Sequence, residues 1–296
     1  MSLPVDPTAG DVSPLDILMG LPSRAALRRA LAAANIADEL DDDDDPEQFL
    51  GALSQVELRQ AATQARYAAP QTVHYFQLSD LLGISRPELD DLTDKNGFGG
   101  QIRAVEELHN RTYVVCSVPE GGTQAQLSVS DDNRVTTVAT FDPQSELLAV
   151  RAEDAEVADG TVHAFRAHPD LSGGFRVSFQ DDGVRGRFED AAVIAYEQLS
   201  LGVTGISAQT DRIDITGTVL SDSKRGDVRR DDVIDDLLSR GDTERKEGHV
   251  QLNLGSDAVP AKPKVQMDFD ANAITFRQWV PERTLIQLDQ IVQQAI

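Results

Sequence analysis

Cysteine, lysine, aromatic residues and long apolar runs are all scarce in this sequence. Its single cysteine, Cys116, excludes an internal disulfide and any zinc site built from several thiolates. The apolar neighbours of Cys116 predict a buried strand residue rather than a nucleophile. No apolar run approaches the roughly 18 residues that a membrane-spanning helix needs, and the N-terminus lacks the basic start and apolar stretch of a secretion signal. We therefore expect a cytoplasmic protein that does not associate with membranes.

Basic residues are outnumbered by acidic ones, 27 to 50, which gives the 296-residue chain a formal charge of −23. Only five of the bases are lysine, and aromatic residues make up 5% of the chain. Such self-repulsion destabilises a fold in dilute buffer. At about 1 M salt the Debye length falls to about 3 Å and the repulsion is largely screened. The composition predicts an acidic protein of a halophilic microbe.

Catalytic motifs are also missing from the sequence. It has five histidines but no HExxH, Walker, GxSxG or CxxC pattern. His163 and His168 are five residues apart, whereas helical metal-ligand pairs are three or four apart. The acidic run Asp41–Asp45 reads as a solvated linker, with a divalent-cation site as the alternative, because metal loops normally space their ligands. The sequence predicts a non-enzymatic protein without cofactor or metal, and an enzyme of unrecognised type remains the alternative.

Helix signals dominate the first third of the chain. Ser23 and Asp45 are predicted N-caps, and Ser54 with Glu57 forms a capping box. A further helix is predicted over Gln101–His109. We expect a flexible N-terminus over residues 1–22 and a helical domain over residues 23–110.

Residues 78–92 resemble the helix-turn-helix of many transcription regulators. The pattern needs a small residue at the helix contact, a glycine four residues later and apolar residues at fixed offsets. These places are filled by Leu78, Ser79, Leu82, Gly83, Ile84, Leu89 and Leu92. The second helix is rich in acid, so base contacts would fall to Ser85 and Arg86 at its start. A small helical bundle with a tight glycine turn is the alternative.

From residue 111 the periodicity changes to that of strands, which predicts an α+β fold: an antiparallel-sheet domain over residues 111–296 follows the helical one. Two hairpins are predicted, Val135–Ala152 and Val265–Val280, each followed by a helix. Phe141-Asp142 and Val150-Arg151 align with Phe269-Asp270 and Phe276-Arg277, which favours a diverged β-β-α duplication. Between the hairpins, further predicted elements include helices over Phe188–Leu199 and Val228–Leu238.

Two surfaces are candidates for partner contact. Strand alternation assigns Thr275, Arg277 and Trp279, with Arg151 from the aligned hairpin, to a sheet face away from the last helix. A tryptophan beside an arginine is typical of interfaces, although Trp279 buried under the N-terminal helices is the alternative.

The second candidate surface is the segment 224–246, with Arg225, Arg229 and Arg230 as its proposed contacts. Its bases alternate with aspartates, so a helix with internal ion pairs is the alternative to a neutral patch that phosphates or an acidic partner approach.

The layout of helical domain and duplicated sheet domain is similar in outline to the centromere protein N family of kinetochore proteins. Local similarity lies around Thr72–Gln77 and the two hairpins. The resemblance implies a non-enzymatic scaffold that uses its sheet face, although the family's basic DNA groove is missing. We therefore expect an adaptor or regulator that binds DNA or a DNA-bound protein. The alternative is a protein-interaction or assembly subunit, self-association included, that has no nucleic-acid role.

Overall fold

The computed structural model describes most of the chain. The described residues are 12–36, 40, 44–69, 71–78, 81, 84, 88–89, 96–97, 100–120, 134–165, 174–207, 210–217, 219–221, 224–225, 227–230, 232–239, 243–256 and 259–296. Most of the predicted helix-turn-helix, with Ser85 and Arg86, lies outside them.

Helices and antiparallel strands both form large parts of the described chain, which confirms the α+β class. The helices are α1 Pro14–Met19, α2 Arg24–Ala33, α3 Pro46–Ala52, α4 Gln55–Ala65, α5 Ala155–Phe165, α6 Asp182–Ala192, α7 Asp232–Ser239 and α8 Glu282–Ala295. The first strands are β1 Gln71–Gln77, β2 Asn96–Gly97, β3 Gly100–Leu108, β4 Arg111–Pro119, β5 Arg134–Phe141, β6 Leu147–Arg151, β7 Phe175–Arg176 and β8 Val193–Ser207. The remaining strands are β9 Thr210–Thr216, β10 Val219–Ser221, β11 Lys224–Arg225, β12 Thr243–Leu252, β13 Leu254–Ser256, β14 Val259–Ala261, β15 Lys264–Asp268 and β16 Ala273–Phe276, with a 3-10 turn at Val228–Arg230.

The chain divides into two compact units. Unit 1 comprises residues 1–175 and 278–289, and unit 2 comprises residues 176–277 and 290–296. The expected boundaries at 22/23 and 110/111 do not coincide with this division. One reason is that β1 and β3 lie within the segment predicted to be helical, and both belong to the sheet of unit 1.

The predicted helix caps are present. The Ser23 side chain accepts from the Ala26 N–H, and Asp45 caps α3 with Pro46 in the first turn. Ser54 and Glu57 form the complete capping box of α4. Ser13 also caps the short helix α1, so the segment expected to be flexible contains a helix.

The sheet of unit 1 has the strand order β2-β3-β4-β5-β6-β1, with antiparallel pairs throughout. One of its faces packs against α5 in an apolar core that includes Val114, Cys116 and Phe141. At Gly100 a Cβ would lie 2.8 Å from the Gly160 carbonyl oxygen, so glycine permits the close approach of β3 and α5. The N-terminal helices form a second core.

The expected helix over Gln101–His109 is wrong, because this segment is strand β3. It pairs with β4 through a tight turn at His109 and Asn110, whose φ angles are 54° and 59°. Two positive φ angles define the hairpin turn that matches strand twist. The expected helix Phe188–Leu199 is also wrong in part: α6 ends at Ala192, and β8 begins at the β-branched Val193.

The sheet of unit 2 has the strand order β16-β15-β12-β8-β9, also antiparallel. Both predicted hairpins are present, β5–β6 in unit 1 and β15–β16 in unit 2, and a helix follows each. A common origin of the two β-β-α segments remains a prediction. Among the helices that the structure describes, none is long and apolar enough to cross a membrane.

Candidate interaction surface

The sheet of unit 2 has one apolar and one polar face. Along β15, Val265 and Met267 are buried, whereas the alternate residues Lys264, Gln266 and Asp268 are at least partly exposed. This period of two places the apolar side chains on one face of the sheet. The Tyr196 ring lies on that face against Gly248, where an added Cβ would be 2.7 Å from the ring.

A row of uncharged polar residues crosses all five strands on the other face. Successive register pairs join Thr275 to Gln266, Gln266 to His249, His249 to Gln198 and Gln198 to Thr216. Cross-strand partners share a face, so the five side chains form one continuous line, which we call the neutral row. All five are partly or fully exposed to solvent.

A β-bulge in β8 shapes the middle of this face. The register between β12 and β8 shifts after His249, so that Val250 pairs with Tyr196 and one extra residue stands in β8. Tyr196 therefore points into the core, while the Glu197 carboxylate reaches the Lys264 ammonium on the polar face at 2.6 Å.

Acidic residues flank one side of the neutral row. The register Asp268–Glu247–Ser200–Asp214 runs parallel to it. Arg212 lies between two of these carboxylates, with Nε 2.9 Å from Asp214 Oδ1 and Nη2 3.2 Å from Glu247 Oε2. Hydrogen bonds from Ser200 and Arg212 lower the pKa of Asp214, so this carboxylate stays ionised.

Basic residues flank the other side. Lys264 lies two residues from Gln266 on β15, and Arg277, which follows β16, donates to the Gln266 side-chain oxygen. We call the neutral row and both flanks the polar face. Three cations on it (Arg212, Lys264, Arg277) stand against four carboxylates (Glu197, Asp214, Glu247, Asp268), which is a net charge of −1. At its border Lys246 pairs with Glu244 and Asp270.

Of the four residues predicted to form a sheet-face contact, two lie on the polar face and two are buried. Thr275 and Arg277 lie on the polar face as expected. Arg151 and Trp279 do not, because they are 1% and 4% exposed in the core of unit 1. Trp279 packs with the N-terminal helices, and its Nε1 donates to the Ala68 carbonyl at 2.9 Å. The expectation of surface contact is therefore wrong for Arg151 and Trp279, and the buried alternative for Trp279 is confirmed.

Arg151 belongs to a buried charge network instead. Its guanidinium donates to both carboxylate oxygens of Glu282, and the Tyr113 hydroxyl donates to the same carboxylate at 2.7 Å. Arg111 lies 2.8 Å from Asp289, whose other oxygen accepts from the Tyr75 hydroxyl. Burial raises the pKa of Asp289 even with Arg111 beside it. Two cations thus neutralise two carboxylates inside unit 1.

Segment 224–246 contains the ion pairs that the alternative interpretation predicted. Arg229 is paired with Asp227 and Glu189, and its guanidinium carbon lies 5.2 Å from the centre of the Tyr196 ring. Arg225 lies in β11 and Arg230 in the 3-10 turn. The expected single helix over Val228–Leu238 is replaced by a 3-10 turn at Val228–Arg230 followed by α7, Asp232–Ser239.

Sequence reasoning missed His249, Gln266, Gln198 and Thr216 as members of one surface. Each is an ordinary polar residue, and the four come from four different strands. The available signal was the alternation along β12 and β15, which predicts the outward side chains but not the register that aligns them.

The described residues contain no group of three or more His, Cys, Asp or Glu side chains placed to hold a metal ion. Burial raises the pKa of Cys116 to about 12, so its thiol stays protonated at neutral pH. No family model matches the sequence. A search of curated proteins found no similar sequence either.

Proposed function

We propose that the protein is an assembly subunit that binds a protein partner through the polar face of unit 2. The observation that supports this proposal is the neutral row, in which uncharged side chains from five strands share one line. A partly exposed array of this kind can form many side-chain contacts at once. In the part of the chain that the structure describes, the apolar side chains of β15 are buried on the opposite face.

The charge of the polar face supports docking. The whole chain carries −23, yet the polar face carries about −1. In a cytoplasm of acidic proteins, partners with like charge repel each other. A nearly neutral face is the part of such a surface where a close contact costs least.

The arginines argue against phosphate binding as the main role. Several guanidinium groups already bind groups of the protein itself, as Arg66 does with Glu106, Arg187 with the Ala295 carbonyl and Arg229 with Asp227. A guanidinium already paired with carboxylates must break those pairs before it can bind a phosphate. DNA association through Ser85, Arg86 and Arg225 remains the competing hypothesis.

The resemblance to the centromere protein N family agrees with the proposal in one respect. That layout implies a scaffold that acts through its sheet face rather than by catalysis. The proposal itself stands on the register and charge of the polar face.

The proposal is tested by adding charge to the neutral row. Gln198→Glu with Gln266→Glu places two carboxylates on the face. The matched control, Gln290→Glu with Gln293→Glu, makes the same chemical change at exposed positions on α8. Circular dichroism in the same salt checks that both variants fold.

Each tagged chain is expressed in its native host, and its complexes are sized by light scattering after gel filtration in the salt of that cytoplasm. We expect the wild type and the control to elute above the monomer mass of 32.2 kDa. We expect the face variant to elute at the monomer mass. A wild type that elutes only as a monomer, or a face variant that keeps the complex, would show that the polar face is not a docking surface.

A further inference from the structure

We infer that the partner of the polar face is a second copy of this chain, an inference that rests on the docking function proposed above. The polar face is complementary in charge to itself, so two copies can bind through the same surface. Such a symmetric contact is the commonest arrangement in soluble homo-oligomers.

The complementarity follows from positions along β15. Lys264, Gln266 and Asp268 point the same way and are two residues apart, so the base and the acid lie about 7 Å on either side of the neutral row. Arg277 extends the basic flank beside Gln266. Glu247, in register with Asp268, extends the acidic flank. Glu197 pairs with Lys264 on the basic side, and Arg212 lies between Asp214 and Glu247 on the acidic side. The face therefore carries a net +1 on one side of the neutral row and a net −2 on the other.

A two-fold axis along the neutral row matches these flanks. Rotation about that line places the basic flank of one copy over the acidic flank of the other, so Lys264 of each copy faces Asp268 of its counterpart. The neutral residues lie on the axis, where Gln266 meets its own copy without like-charge repulsion. An axis parallel to the strands would place acid over acid, so the charges select the first arrangement.

The size of the face sets the expected strength. Five strands about 4.8 Å apart and about five residues long give roughly 400 Å² for each copy. A standard stable interface buries about 800 Å² on each partner. We therefore expect weak, reversible association, with a dissociation constant on the order of 10–100 µM.

Charge reversal tests the geometry directly. Lys264→Glu places acid over acid in both symmetric contacts, and Asp268→Lys places base over base. Each variant alone should associate at least about tenfold more weakly than the wild type. In an equimolar mixture of the two variants, one copy carries two acids and the other two bases at these positions, so both contacts become attractive again.

The measurement is sedimentation velocity of purified protein up to about 500 µM, in KCl at which circular dichroism shows it folded, since this range covers the expected constant. We expect the wild type and the mixture to form dimers and each single variant to remain largely monomeric. Asp268 Oδ1 also accepts from the Ala271 N–H in the β15–β16 turn, so Asp268→Lys can disturb the turn. Gln266→Glu, which places two carboxylates together on the axis, is the second variant and should also prevent association.

Three results separate the possible failures. A wild type that stays monomeric while the native-host complex is still lost in the neutral-row variant would overturn the second copy and keep the docking function. A wild type that dimerises while the single variants dimerise equally well would overturn the polar face as the contact. A monomer in both experiments would overturn both proposals.

Discussion

Replacement of Glu282 by glutamine removes one charge from the buried network of unit 1. The Glu282 carboxylate is 1% exposed and accepts from both terminal nitrogens of Arg151 and from the Tyr113 hydroxyl. Glutamine has nearly the same shape but only one accepting oxygen. The variant therefore leaves the buried Arg151 guanidinium without the carboxylate to which it is hydrogen-bonded.

The expected cost follows from that unpaired charge. Removal of one partner of a buried ion pair typically costs about 3–5 kcal/mol. The remaining ion is shielded from water and no longer has a partner that offsets its desolvation. Arg151 is itself 1% exposed, and its other described contacts are the Tyr67 carbonyl and the Tyr113 ring. These neutral groups do not replace a carboxylate. We expect the free energy of unfolding of unit 1 to fall by about 3–5 kcal/mol.

Trp279 provides the assay, since it is the only tryptophan and lies in the core of unit 1 with the N-terminal helices. Urea unfolding at constant KCl, followed by tryptophan fluorescence, measures the change without altering ionic strength. Glu57→Gln is the matched control. It makes the same substitution at an exposed capping box, where glutamine retains the hydrogen bond, and should leave the free energy of unfolding nearly unchanged.

A loss below about 1 kcal/mol for Glu282→Gln would refute this reasoning. It would mean that water reaches Arg151 or that the guanidinium finds another carboxylate. An equal loss in Glu57→Gln would show that the assay reports a general effect of lost negative charge.

Three further outcomes are expected. The charge of Arg151 and the hydrogen bonds from Arg151 and Tyr113, opposed by burial, hold the pKa of Glu282 below its usual range. The unfolded chain therefore binds more protons than the native one, and the wild type should lose stability as the pH falls below about 4.3, more steeply than Glu282→Gln in the same urea assay. Trp279→Ala should cost about 3–5 kcal/mol by circular dichroism without weakening dimer formation, and weakened association in a fully stable variant would contradict its assignment to the core. Any DNA binding that fluorescence anisotropy detects should weaken steeply as the KCl concentration rises. Binding that survives about 1 M KCl and is lost in Arg86→Ala and Arg225→Ala would favour the helix-turn-helix hypothesis over docking.

Local signals in the sequence were sufficient for much of the fold. Ser23, Asp45 and Ser54 each carry a capping side chain next to a helix, and their effect does not depend on distant residues. The two hairpins of the β-β-α segments are likewise local, because their turns and alternating strands lie within about 20 residues. The hairpin at His109-Asn110 was missed because neither residue is glycine, although both adopt positive φ.

The surface residues were harder to predict because burial depends on distant segments. Alternation assigned Trp279, and the alignment of the two hairpins assigned Arg151, to an exposed face, but neither signal shows what covers that face. Glu282, 131 residues from Arg151, supplies the counter-charge that allows an arginine to be buried. Trp279 is covered by helices more than 200 residues away in the sequence. Thr275 is partly exposed and Arg277 is exposed, as alternation predicted for both.

The neutral row required the register as well as the strands. His249 pairs with Gln198 only because the bulge follows this pair, and a shift of one residue would turn the whole of β8 to the other face. Sequence alternation therefore predicted a polar face but not its pattern of charge.

The buried network finally raises the question of why charges stand where apolar residues could pack. Burial of two ions is costly, and well-packed apolar replacements are often equally stable or more so. We therefore expect the double variant Arg151→Met with Glu282→Leu to regain at least about 2 kcal/mol of the loss seen in Glu282→Gln, measured by the same urea assay. A double variant less stable than Glu282→Gln would show that the pair stabilises unit 1 by more than its desolvation cost.

The two buried ion pairs of unit 1 can fix the position of α8 along its axis. Glu282 and Asp289 are seven residues apart on one side of the helix, with the buried Leu285 and Leu288 between them. Packing of leucines alone would allow the helix to shift by one turn. The pairs Arg151–Glu282 and Arg111–Asp289 form only when the helix is in one register. The double variant should therefore be more stable than Glu282→Gln but lose protection of the α8 amides from hydrogen exchange. Unchanged protection in α8 would show that apolar packing alone fixes the helix.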